Sequence, residues 1–134
     1  MSTDSLGDGS GVGTIHFDRE HKLLYALGKG DSRVLIYSYT EDGKMIQIPH
    51  YQYSAPIRAI TFLPKQCLSV DNHEVSRCAR IAGDSTLEYV SFRMPSRTGT
   101  FNAELYPLFD ANEPASDYAR WSAGEDVPAK TMQL

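Results

Sequence analysis

Residues 23–39, LLYALGKGDSRVLIYSY, hold two short runs of strand-forming residues on either side of a glycine-rich turn. Each run is apolar at consecutive positions rather than alternate ones. A strand with one face in water alternates apolar and polar side chains, so this pair must be covered on both faces. That limits the fold more than any other feature of the chain. An isolated sheet cannot hide two apolar faces, and neighbours are required on each side.

The flanking sequence shows what kind of sheet this is. GTIHFD alternates, with Ile15 and Phe17 on one face, and DREHK is a polar turn. Gly28 and Gly30 permit positive φ between the two apolar runs, and Asp31 and Ser32 can bond the turn backbone. Glu41, Asp42 and Gly43 signal another hairpin. MIQIPHYQY follows as a fourth strand, which Pro49 places at an edge. Four strands in about forty residues is the size of one propeller blade. Blades stack face to face around an axis, so inner strands are covered on both sides. Val34 and Ile36 then face one neighbour, Leu35 and Tyr37 the other.

The pattern restarts at IRAITFLP, which reads as a second first-strand, and TLEYVSFRM is a clear third strand with no fourth after it. Between them the local rules conflict. Asp71 and Glu74 have capping-box spacing and Val75, Cys78, Ala79 and Ala82 have helical spacing. The blade template instead asks for a turn at Asp71–Glu74 and a strand from about Ser76 to Ala82, and the strand is the expectation adopted. After Pro95, FNAELYP is a short turn or helical piece. A helix is expected from Pro114, with Ala115, Tyr118, Ala119 and Ser122 on one face, Trp121 beside it and Gly124 at its end. These residues read as an extension strapped onto the sheet. Residues 1–11, MSTDSLGDGSG, are polar and form a flexible leader.

The segments LLYALGKGDSRVLIYSY, FLPKQCLSVDNHEVSRCARI, FRMPSR and FNAELYP, with a tryptophan in YARWSAGEDVPA, resemble the coronins. These are WD-repeat propeller proteins of the actin cytoskeleton. The resemblance covers residues 12 to 134. It implies an all-β fold: a partial WD-repeat β-propeller of about two blades with a short, partly helical C-terminal extension. Its units are a blade at 12–54, a last, incomplete blade at 55–95 and the extension at 96–134. Coronins have seven blades, an extension packed under the ring, a linker and a C-terminal coiled coil. The earlier blades and the coiled-coil oligomerisation segment are absent here. In the family the last blade takes its outermost strand from the N-terminus of the propeller, which fits the missing fourth strand. The expectation is therefore a fragment or truncated product, with a degenerate small paralogue as the alternative, and one face of the first sheet left uncovered. The chain departs from the WD pattern: Tyr37-Ser38 stands at the Trp-Asp position and DGSG lacks the paired histidine. Asp31 keeps the blade aspartate, but stability must rest on packing.

Active-site motifs do not assemble. GDGSGVG is neither a dinucleotide fingerprint nor a Walker loop. GDS occurs at Gly30 and Gly83, but a nucleophilic Ser32 or Ser85 needs a base and an oxyanion hole, so a hydrolase is the least favoured reading. Cys67, His73 and Cys78, with His50 or His16, lack paired zinc-ligand spacing. No catalytic residue, cofactor or metal is expected, and the two cysteines read as reduced thiols. The net charge of -4 argues against a dedicated nucleic-acid binder, and no apolar run is long enough to span a membrane. Residues 56–97 carry six bases against four acids, whereas from Glu104 onward there are six acids and two bases. Actin filaments are acidic, so Arg58, Lys65, Arg77, Arg80, Arg93 and Arg97 are candidate contacts. The resemblance implies a non-catalytic, cytoplasmic, cytoskeletal actin-binding protein or fragment, with actin filaments and actin-regulatory proteins as partners. The alternative is a protein-interaction scaffold fragment of another WD-repeat propeller.

Overall fold

Strand β1 (Gly13–Asp18) opens a four-stranded antiparallel meander with β2 (Leu23–Gly28), β3 (Arg33–Tyr39) and β4 (Met45–Gln52), in that spatial order. This computed structural model describes residues 13–95 and 103–134, the side chain of His50 aside. The 1–11 leader and Arg97 lie outside those residues. Pro49 sits where β4 loses register with β3, at a bulge between Val34 and Ile36, as a residue without an N–H donor requires. The β3–β4 turn closes through Gly43 at φ 80°, with Thr40 N–H donating to Lys44 O at 2.9 Å.

The second sheet is β5 (Ile57–Phe62), β6 (Glu74–Ala82) and β7 (Leu87–Arg93), again antiparallel and in sequence order. Among the described residues no fourth strand pairs with β7. The ambiguous segment is a strand, starting two residues earlier than expected. Asp71 belongs to a one-turn 3-10 helix (Val70–Asn72), and His73 ends it at φ 53°. The Glu74 carboxylate reaches back to accept the Ser69 N–H at 2.7 Å. The capping-box residues thus close a loop rather than start a helix.

Both sheets bury one face against the other. Leu23, Tyr25, Leu27 and Val34 of the first sheet meet Tyr53, Ile57 and Val75, with Ile60, Phe62, Val90 and Phe92 packed around them. Tyr25 is fully buried, its ring centroid 4.8 Å from Phe62 and 5.0 Å from Phe92. On the opposite face of the first sheet, Ala26, Leu35 and Tyr37 form a second buried cluster. This corrects the expectation that the face is bare: its centre is shielded, while Ile15, Phe17, Tyr39 and Met45 at its flanks are exposed.

Two local expectations also change. Gly30 takes positive φ (95°), but Gly28 does not. A Cβ on Gly28 would stand 2.5 Å from Asp31 Oδ2, so this glycine answers a need for space. In the extension, a two-residue ladder joins β8 (Phe109–Asp110) to β9 (Thr131–Met132), and helix α1 (Tyr118–Ser122) starts four residues after Pro114. Its N-cap is Asp117, whose Oδ1 accepts the Arg120 N–H at 2.9 Å. No residue of α1 is buried, so the face expected to pack does not.

Replacing Tyr25 with alanine removes the ring at the centre of the inter-sheet core. It is expected to lower the unfolding free energy by about 3–5 kcal/mol, read by denaturant titration.

Candidate protein-binding surface and the junction that supports it

The polar turn DREHK carries the most connected group in the chain. Asp18 ends β1 with its carboxylate fully buried. Its Oδ1 accepts the His21 backbone N–H at 3.2 Å, which folds the turn back on itself. Lys65, in the loop after β5, pairs with Asp18 and donates to Val75 O at 2.7 Å. Its ammonium also lies 2.9 Å from His21 Nδ1. The same Nδ1 lies 3.2 Å from Asp18 Oδ2, so the three side chains form one cluster. The His21 Nε2–H then donates to Leu105 O in the extension, at 2.7 Å.

The extension grips the same place. Tyr106 is buried and its hydroxyl donates to Glu74 O at 3.1 Å. Phe109 is buried with the Lys65 ammonium 5.6 Å from its ring centroid. Gln133 donates to Tyr106 O, tying the chain's last residues to the same point. The ELYPLF stretch is therefore strapped on, and it joins both sheets: His21 belongs to the first, Lys65 and Glu74 to the second.

Burial alone would raise the Asp18 pKa. Hydrogen bonds from His21 and Lys65, together with their charges, outweigh it and hold the carboxyl at about 2. Burial likewise opposes ionisation of Glu74, but the Arg77 hydrogen bonds and others prevail and lower its pKa.

These contacts sort the candidate cations. Lys65 is part of the junction. Arg77 grips Glu74 through Nε at 2.8 Å. Arg80 is buried between the sheets, its guanidinium 3.7 Å from the Tyr53 ring centroid and its Nε 2.8 Å from Glu88 Oε2. Arg58 and Arg93 are exposed. Arg58 lies at the β6–β7 turn, donating to Ser85 Oγ at 3.2 Å. Arg93 lies at the far end of β7, roughly 20 Å away for a seven-residue strand. The structure does not gather the five described cations into one patch. Beside the junction, a cleft of about 670 Å³ opens between β1, the loop after β5 and β8, lined by His16, Phe17, Lys65, Cys67 and Asn112 among others. Ser32 and Ser85 both sit in turns. Cys67 is exposed and Cys78 buried. Among the described residues no cluster of three potential metal ligands forms, and no helix is long and apolar enough to cross a membrane.

The chain is 29% identical over 135 residues to Coronin-A of Dictyostelium discoideum, covering all of this chain and 30% of the relative. It is 32% identical over 130 residues to Coronin-like protein crn1 of Schizosaccharomyces pombe, covering 97% of this chain and 22% of the relative. The crystal structure of the WD40 domain from Toxoplasma gondii coronin matches 94% of this chain with a TM-score of 0.85 and 29% identity. The chain belongs to the coronin family. Its fold is that of part of a WD40 propeller: the match covers 32% of that WD40 domain chain, and the chain spans 22 to 30% of the length of these two relatives. No protein-family model matches the sequence. The segments on which the resemblance was read contribute to the junction: LPK supplies Lys65, EVSR supplies Glu74 and Arg77, and ELYP supplies Tyr106.

The Asp18 pKa sets an acid limit on the junction. The group's folded value lies below its unfolded value of 3.8. Its contribution is therefore present above about pH 4 and lost as the pH falls toward 2. Denaturant titrations across that window are expected to show a loss of about 2 kcal/mol that Asp18→Asn does not show.

Proposed function

We propose that this coronin-family chain acts as a non-catalytic recognition module for actin filaments and their regulatory proteins, within the cytoskeleton. The match to coronins from end to end of the chain, through both blades and the extension, supports this reading. We further propose that residues 12–54 and 55–95 act as one complete and one incomplete blade, and that 96–134 is the extension that locks them together. Ser85 accepts a hydrogen bond from Arg58, and Ser32 holds a turn whose carbonyl accepts the Tyr53 N–H at 2.6 Å. Both are structural uses, and they favour recognition over hydrolysis. The relatives and the solved neighbour are all coronins, which favours this reading over a scaffold from another propeller family.

Of the six cations, Arg58 and Arg93 are exposed and so free to meet an acidic filament, and Arg97 remains a proposed contact. Lys65, Arg77 and Arg80 contribute by holding the blades in place. Filament co-sedimentation tests the reading. The chain is expected to pellet with filaments, and Arg58→Glu with Arg93→Glu to weaken that by about tenfold, or about 1.4 kcal/mol. Pelleting no better than a control protein sinks the proposal.

A further inference from the structure

The extension leaves the junction and returns to it. Phe109–Asp110 pairs with Thr131–Met132, and Ala111 N–H donates to Lys130 O at 2.9 Å, so the stretch between them is closed at its base. Within it, α1 is held at both ends. Asp117 caps its start. After its end Gly124 turns the chain at φ 77°, and Glu125 N–H donates to Arg120 O at 3.1 Å. The Glu125 carboxylate accepts the Arg120 Nε–H at 2.7 Å. This leaves a cleft of about 460 Å³, lined by Pro114, Asp117, Tyr118, Trp121, Glu125 and Asp126 among others. Every wall comes from residues 114–127, so no residue outside that stretch is needed to build it.

Two features of the lining point to one kind of ligand. The first is aromatic. Tyr118 and Trp121 are three positions apart on α1 and share a face. Their ring centroids are 6.1 Å apart, and they are 79 and 68% exposed. The face of such a ring is electrostatically negative and attracts cations, tryptophan most of all. The second is charge. From Glu104 onward there are six acids and two bases. Both bases are already engaged, Arg120 with Glu125 and Lys130 with Glu113. Asp117 and Asp126 therefore line the cleft with no ion-pair partner among the described residues, and no lysine or arginine lines it.

We propose that this cleft is a docking site for a basic segment of a partner protein. A lysine or arginine of that segment lies over Trp121 and Tyr118 with its charge toward Asp117 and Asp126, and a neighbouring aliphatic side chain fills the apolar part at Pro114 and Val127. Charge complementarity selects the occupant, because the same carboxylates repel an acidic filament or a nucleic acid. The acidic extension and the basic stretch at 56–97 thus serve partners of opposite charge. The inference rests on the cleft and not on actin binding.

Trp121 is the chain's single tryptophan, so its fluorescence reports on this cleft alone. Titration with a blocked Ala-Lys-Leu-Arg-Ala peptide is expected to shift its emission saturably, with an affinity that falls as salt rises. The same peptide with glutamine in place of lysine and arginine is expected to leave the emission unchanged. Asp126→Asn is expected to weaken binding by about two- to fivefold, and Trp121→Leu, read by calorimetry, by a similar factor. Glu41→Gln removes an exposed acid from the β3–β4 turn and is expected to leave the affinity unchanged. No residue of α1 is buried, so the variants are expected to keep the fold, checked by far-UV circular dichroism. If Trp121→Leu misfolds, Tyr118→Leu takes its place. Emission that ignores the basic peptide overturns the proposal. So does a loss with Glu41→Gln equal to that with Asp126→Asn, which marks charge attraction without a site. In a longer chain carrying these two sheets, Trp121 is expected to stay open to acrylamide quenching, and protection there overturns the proposal as well.

Discussion

The burial of Tyr25 between two sheets is the contact on which the rest depends. An aromatic side chain this large contributes about 1.5–3 kcal/mol when fully withdrawn from water. Here it needs Phe62 and Phe92 of the other sheet to achieve that. The facing sides of the two sheets are buried by each other, because a meander of this size has no interior of its own. The first sheet therefore folds only as the second docks, and the cooperative unit is the pair. The backbone agrees: Gly30 N–H donates to Ile57 O and Ile57 N–H to Asp31 O, both at 2.8 Å, so the turn of one sheet completes the first strand of the other.

Polar groups at the junction then fix how the sheets are set. Apolar packing tolerates sliding, whereas buried charges do not, since a displaced charge loses its partner at a cost of several kcal/mol. Asp18, Lys65 and His21 satisfy one another only in this arrangement, and the extension supplies the last acceptor through Leu105 O. This bears on the weak WD pattern. Where the usual pattern places a polar network within each blade, this chain has Tyr37-Ser38. Its main ionic cluster lies between the blades and the extension instead. The extension is thus a structural part of the blade pair, and its role is to hold two sheets together.

Much of this architecture was legible because strand patterns and glycine turns are local. The double-sided apolar run in β2 and β3, the edge position of Pro49 and the strand character of β6 all follow from neighbours in sequence. Glu74 shows the limit. Its capping-box spacing was a true sign that the carboxylate reaches back to a backbone N–H, but the acceptor closes a loop, and local spacing cannot tell the two apart. The junction was invisible for a different reason. Asp18 and Lys65 are 47 positions apart, and no pattern in one sequence pairs residues at that distance. DREHK therefore read only as a polar turn. The candidate cations failed to sort for the same cause, since Arg80 and Arg58 look alike until one is seen buried over Tyr53. The start of α1 was misplaced because Pro114 is a permissive signal, while Asp117, three residues before Arg120, is the residue that caps.

Comparison of the two sheets also shows which part of a blade repeats. The pair Ile15 and Phe17 recurs unchanged as Ile60 and Phe62, in the same register. The receiving face does not recur: His16 and Tyr25 become Thr61 and Ala79. Interdigitating layers work by setting large groups against small ones. A fixed pair of projecting side chains can therefore dock on different faces, provided that each face adjusts its own bulk. The second sheet has Ala79 where the first has Tyr25, and Tyr89 where the first has Ile36, so the bulk moves from one strand to the next. The same trade explains how a chain can carry repeated blades with so little repeated sequence, because only the projecting half of each interface is held constant.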